Sequence, residues 1–172
     1  MQNKTGRSAG KPRLAAVVGG GVIGGGWVAR LIQNGVDVQV FDPDPVAPRK
    51  IEAVMANADH AIAKLTMAPM PTPGRLHFAP SIADAVAAAE LIVEAVPERL
   101  EVKHAVYAEI EAAAKPGAII SSSTSGIMPT DLQAGMRHPG RLLVACELME
   151  GECSVSEIEA RTRVRQPNLS RD

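Results

Sequence analysis

Gly19, Gly21 and Gly24 stand in a G-x-G-x-x-G spacing within Val18-Gly19-Gly20-Gly21-Val22-Ile23-Gly24. That spacing suits the pyrophosphate of a dinucleotide. The first glycine permits a tight turn, the second lets phosphates approach the backbone, and the third lets a helix pack close to a strand. Asp42 follows near the roughly 20-residue distance at which a carboxylate accepts hydrogen bonds from the adenosine ribose hydroxyls. A carboxylate there repels a 2′-phosphate, and no arginine follows at once, so the expected cofactor is NAD rather than NADP. The run Asp42-Pro43-Asp44-Pro45 also opens a helix well, with Asp44 as cap and Pro45 in the first turn. Both roles are compatible: Asp42 on the ribose, Asp44 on the cap.

A glycine turn of this kind needs a buried strand before it and a helix after it. Residues 13–18 have strand composition, and Val22 to Gln33 read as a helix whose free N–H groups and positive dipole end face the phosphates. Asn34-Gly35 is a left-handed stop, and Val36 to Asp42 form a second strand. Ile51, Val54, Met55, Ala58, Ile62 and Leu65 recur at helical period on one face. A proline-rich loop over 68–74 leads to a strand at 75–78 and a short helix at 81–88 capped by Ser81. Leu91 to Val96 is a nearly unbroken apolar run, as a strand covered on both faces would be. A helix with Val102, Val106, Ile110 and Ala113 toward the core ends at Lys115-Pro116-Gly117. Ala118 to Ser121, a short helix from Pro129 to Gly135, and a strand from Arg141 to Ala145 complete the pattern.

Strands and helices alternating at these lengths imply an α/β fold with a parallel, doubly wound sheet. Ligands of such sheets bind outside the carboxyl ends of the strands. Here those ends are Gly19 to Gly24, Asp42, Val96 to Glu98, and Ser121 to Ser125, so four loops are expected to converge on one site.

Composition sets the bounds. The chain has 172 residues, 46% of them apolar, with a formal net charge of -1. That charge gives no reason to expect a nucleic-acid or membrane partner. Leu14 to Ala29 is the longest charge-poor run; it is rich in glycine and followed by Arg30, so no membrane span is expected. Cys146 and Cys153 suggest neither a disulfide framework nor a metal site. Residues 1–12 carry basic and small polar residues with no apolar signal core after them, and are expected to be a disordered lead-in to a cytoplasmic protein.

The sequence resembles the 3-hydroxyacyl-CoA dehydrogenase family. The residues that carry the resemblance are the glycine loop with its trailing Gly26, Val93-Glu-Ala-Val-Pro-Glu98, and Ser122-Ser-Thr-Ser125-Gly126. Within it, Met55-Ala-Asn-Ala58, Leu65-Thr-Met-Ala-Pro-Met-Pro71 and Ser121 to Gln133 look like the branch that oxidises the 3-hydroxyl of L-carnitine. The resemblance implies a Rossmann-type NAD-binding domain over 13–145. It puts Gly19, Gly20, Gly21, Val22, Ile23 and Gly24 on the pyrophosphate and Asp42 on the ribose. It puts Val96, Glu98 and Lys103 near the nicotinamide half. Ser125 matches the serine that hydrogen-bonds the substrate oxygen undergoing oxidation. On their residue types alone, Glu98 and Lys103 could equally be a solvated helix start, and the serine run ordinary loop chemistry.

Acyl-CoA members have a second-helix lysine that meets the CoA phosphate. Leu65 takes that register here, one residue past Lys64. This favours carnitine over a 3-hydroxyacyl thioester such as 3-hydroxybutyryl-CoA. Asp42 and the Ser122 to Ser125 match disfavour an S-adenosylmethionine or flavin binder. The family's general base is a histidine in a His-Pro-aromatic-Asn-Pro motif, expected at position 146, where this chain has Cys146. Neither His60, His77, His104 nor His138 replaces it. Residues 146–172 are therefore an atypical tail, explained by an internal deletion or by a change of reading frame after Ala145. The helical domain that completes the active site and the homodimer in the family is expected to be absent. A non-catalytic NAD-binding fragment is accordingly the alternative to an active dehydrogenase.

Overall fold

The computed structural model describes residues 11–65 and 69–144. Six strands form one sheet in the order β3-β2-β1-β4-β5-β6, with every neighbouring pair parallel. The strands are β1 (Leu14–Val18), β2 (Asp37–Phe41), β3 (Leu76–Phe78), β4 (Leu91–Glu94), β5 (Ile119–Ser122) and β6 (Leu142–Val144). The helices are α1 (Val22–Gln33), α2 (Ala47–Leu65), α3 (Ile82–Val86), α4 (Leu100–Ala113) and α5 (Pro129–Gln133). A 3-10 turn, Pro139–Arg141, precedes β6. The chain starts at the centre with β1, winds outward to β3, then returns beside β1 with β4. The sheet therefore changes winding direction between β1 and β4, and all strand carboxyl ends lie along one edge.

Alternating residues of the central strands feed two separate cores. Ala15 and Val17 pack with Val28, Ile32, Val38, Val40, Ile51 and Val93 under α1 and α2. Ala16 and Val18 pack with Ile92, Val106, Tyr107, Ile110 and Ile120 under α3 and α4. Burial on both faces is why β1 and β4 read as apolar runs. Each fully buried valine or isoleucine contributes about 1.5–3 kcal/mol from water exclusion.

Turn chemistry sets the boundaries. Gly35 (φ 74°) and Gly117 (φ 76°) adopt the left-handed conformation after α1 and α4, and Ser81 accepts the Asp84 N–H to cap α3. Several elements are shorter than or shifted from expectation, α3 (Ile82–Val86), α5 (Pro129–Gln133) and β5 (Ile119–Ser122) among them, and two of the differences have a side-chain cause. α2 begins at Ala47, because Asp44 Oδ1 accepts the Val46 N–H at 3.0 Å and holds Pro45 and Val46 in a turn ahead of the helix. β4 stops at Glu94 rather than Val96, because the Glu94 carboxylate folds back to accept the Val96 N–H at 2.9 Å. The expected lead-in lies outside the described residues save for 11 and 12, and the expected tail over 146–172 lies wholly outside them. No helix among the described residues is long and apolar enough to cross a membrane.

Candidate functional site

The turn from β1 into α1 is built so that only glycine fits at two places. Gly19 has φ +103°, and a Cβ on it would sit 2.5 Å from the Ala95 carbonyl oxygen. A Cβ on Gly24 would run into the Gly19 carbonyl oxygen. Both obstacles are backbone, which cannot rotate away. The space over Gly21, by contrast, is open to at least 4 Å. Gly21 is the N-cap of α1, with no side-chain cap and no acid in the first turn. The first N–H groups of that helix are thus left for an outside acceptor. Val22 and Ile23, beside them, are 82% and 59% exposed. An open cradle, uncapped donors and exposed apolar side chains suit a pyrophosphate-bearing ligand.

Asp42, half-buried at the end of β2, closes the same cradle. Its Oδ2 accepts the Gly20 N–H at 2.5 Å and its Oδ1 accepts the Asp44 N–H at 2.7 Å. Each oxygen keeps a lone pair for a further donor such as a ribose hydroxyl. Asp44 is occupied with Lys50 at 2.8 Å, and that hydrogen bond holds its carboxyl below the usual range. Asp44 takes the helix-start role through the Val46 N–H, which leaves the Asp42 carboxylate on the glycine turn.

Beyond the winding reversal, the end of β4 carries a network of charges. Glu94 is fully buried. Its Oε1 accepts from Lys103 Nζ at 2.8 Å and from the Val96 N–H; its Oε2 accepts from Tyr107 at 2.7 Å and Ser122 at 2.6 Å. Four donors on two oxygens suit a carboxylate. Burial, then the Glu94 charge, pushes the Tyr107 phenol well above its ordinary pKa, so it stays a neutral donor. The Lys103 side chain is 1% exposed, and its Nζ lies 3.3 Å from Glu98 Oε2 on the other side. Glu98 Oε1 accepts from Thr124 Oγ1 and from the N–H groups of Ser125 and Gly126, both at 3.0 Å. Burial raises the Glu98 pKa, but the Thr124, Gly126 and Ser125 donors and then the Lys103 charge outweigh it, bringing it to about 2.

Glu98, Lys103 and Ser125 are thus brought together, in an unforeseen way. Lys103 spends its ammonium on two carboxylates instead of facing open space. Ser125 is exposed, anchored through its backbone, and its hydroxyl has no partner among the described residues. Val96 is half-buried on the loop between them. Glu94, Tyr107, Ser122 and Thr124 were not singled out from sequence. Trp27 Nε1 donates to Ser123 Oγ at 3.0 Å, tying the helix of the glycine turn to the serine loop. The four histidines lie elsewhere: His60 on α2, His77 on β3, His138 before the 3-10 turn, and His104 on α4, where it meets the Asp131 carbonyl. Cys146 falls outside the described residues, as does the Leu65 side chain.

The sheet order, the glycine cradle and the acid after β2 define a Rossmann-type dinucleotide-binding domain. The chain belongs to the family described as 3-hydroxyacyl-CoA dehydrogenase, NAD binding domain, whose model matches residues 14–146. It is 59% identical over 131 residues to an L-carnitine dehydrogenase/betainyl-CoA thioesterase of Rhizobium sp, covering 76% of this chain and 26% of that protein. It is 42% identical over 168 residues to an L-carnitine dehydrogenase of Oceanobacillus iheyensis, covering 91% of this chain and 55% of that protein. Those 168 aligned positions exceed the share of this chain they use, so that relative carries residues with no counterpart here. Among solved structures, the NAD+-dependent dismutase FHMPC 5-dehydrogenase superposes with TM-score 0.71 at 34% identity, over 78% of this chain and 44% of that one. The chain therefore spans about a quarter to a half of the length of these relatives.

Proposed function

We propose that this chain supplies the NAD-binding part of a dehydrogenase that oxidises the 3-hydroxyl of L-carnitine to 3-dehydrocarnitine. The observation that carries the cofactor assignment is the uncapped start of α1 lying beside Asp42. Backbone N–H groups at Val22, Ile23 and Gly24 hold the pyrophosphate, and Asp42 takes the adenosine ribose. Val96 and Glu98 border the nicotinamide half, with Lys103 acting through Glu98. Ser125 turns its free hydroxyl toward the substrate oxygen. Bound NAD would supply the hydride acceptor.

Carnitine is preferred to a 3-hydroxyacyl thioester on two grounds. The relatives above are named as L-carnitine dehydrogenases, and Leu65 stands where a CoA-binding lysine would. The hydroxyl proton needs a base. A cysteine thiol, as at position 146, is a nucleophile rather than a proton shuttle near neutrality. Loss of a general base costs about 10²–10⁴-fold, so the chain binds NAD and turns over carnitine poorly or not at all.

Calorimetric titration of the 172-residue chain with NAD, NADP, S-adenosylmethionine and FAD, alongside assays with carnitine and 3-hydroxybutyryl-CoA, tests this. NAD binding in preference to the other three, with negligible turnover, is expected. Tighter binding of S-adenosylmethionine or FAD would refute the cofactor assignment. Oxidation of 3-hydroxybutyryl-CoA in preference to carnitine would refute the substrate.

A further inference from the structure

We infer that the Glu94–Lys103–Glu98 cluster makes the site prefer the oxidised form of the nicotinamide cofactor, by setting an excess negative charge beside the ring. The inference rests on the NAD assignment above.

Topology is the first link. In a sheet of order 3-2-1-4-5-6 a dinucleotide lies across the winding reversal, one nucleotide on each side. Asp42, at the end of β2, marks the adenosine side. The other nucleotide then lies over the ends of β4 and β5, where Glu98 and the serine loop meet.

Charge is the second link. Two carboxylates share one ammonium. Lys103 is 1% exposed and sits between Glu94 Oε1 at 2.8 Å and Glu98 Oε2 at 3.3 Å. Glu94 is shut off from solvent completely, whereas the Glu98 side chain is 42% exposed. Glu98 is the one member of the cluster that opens onto the crevice, and its neutralising partner is turned inward and shared. Tyr107, the remaining titratable group on Glu94, is a neutral donor and adds no charge.

Rigidity is the third. Glu98 Oε1 is pinned by Thr124 and by the Ser125 and Gly126 N–H groups. The carboxylate cannot swing away when a neutral ring replaces a cationic one. An oxidised nicotinamide is cationic and gains from that field, while a reduced ring gains nothing.

The test is the ratio of the dissociation constants, Kd of NADH over Kd of NAD+, measured by equilibrium titration of the full chain. Glu98→Gln keeps an oxygen acceptor for the loop amides while removing the charge. It is expected to lower the ratio about fivefold, the scale of a charge interaction partly screened by solvent. The fall should come from weaker NAD+ binding, with NADH little changed. In the unaltered chain, raising salt from about 0.02 M to about 0.5 M screens the exposed carboxylate and should lower the ratio too. That measurement holds even if Glu98→Gln fails to fold. Binding of both cofactor forms with a ratio that neither the variant nor salt lowers overturns the inference alone. Failure of the unaltered chain to bind either form overturns the NAD assignment and the inference with it.

Discussion

Lys103 Nζ lies 2.8 Å from Glu94 Oε1, and neither side chain is more than 1% exposed. Taking one partner from such a pair strands a buried charge, at a cost of about 3–5 kcal/mol. Lys103→Met and Glu94→Leu are each expected to lose stability on that scale in urea unfolding. The double variant should lose much less than the sum, because no charge is then left alone. Single variants within about 1 kcal/mol of the parent would mean the pair behaves like a surface one.

Gly24 and Gly26 sit two positions apart on α1 and should respond in opposite ways. A methyl group on Gly24 meets the Gly19 carbonyl, so Gly24→Ala forces the cradle open. A loss of about 1–3 kcal/mol is expected from such overpacking, with weaker NAD binding. Gly26 has nothing within 4 Å of its would-be Cβ. Replacing a glycine inside a helix by alanine gains about 0.5–1 kcal/mol. Thermal unfolding of both variants checks the contrast.

Glu98 links stability to acid. Its carboxyl is held at about 2 in the fold, against an ordinary 4.5. The folded state therefore binds the proton less readily than the unfolded chain, and the stabilisation is in full force above pH 4.5. It drains away as pH falls toward 2. Glu98→Gln lacks this contribution, so its deficit in unfolding midpoint should be larger at pH 6 than at pH 3. An equal deficit at both would show that the acid dependence lies elsewhere.

Asp42 joins the glycine turn to the start of α2 through Gly20 and Asp44. Asp42→Asn keeps an acceptor but removes the charge that repels a 2′-phosphate. NAD affinity is expected to fall by about tenfold, the scale of one charge-assisted hydrogen bond, with NADP gaining relative to it. Parallel titrations with the two cofactors measure the change.

Local chemistry was the legible part of this molecule. Gly35, Gly117 and Ser81 act through their own backbone and nearest neighbours, so the elements they bound are readable from the chain. The glycine turn and Asp42 were readable for the same reason, since their spacing is set by one strand, one helix and one strand. The pairing of Glu94 with Lys103 was not. Each is a charged residue of a type that usually faces water, and only the packing of α4 onto β4 brings them together. A signal was present: Glu94 is the one charge in the apolar run of β4, and Lys103 lies in register with Tyr107 and Ile110 on the buried side of α4. Thr124 was missed because a hydroxyl in a serine run carries no mark of which neighbour it will meet.

Backbone amide shifts during an NAD titration of the isotope-labelled chain test the pyrophosphate site residue by residue. The largest changes are expected at Gly20, Val22, Ile23 and Gly24, with Asp42 and then Ser125 and Gly126 following in the same titration. Undisturbed amides at 20–24 under saturating NAD, or changes confined to the cleft between α4 and the segment after α5, lined by His104, Glu111 and Met136, would contradict it.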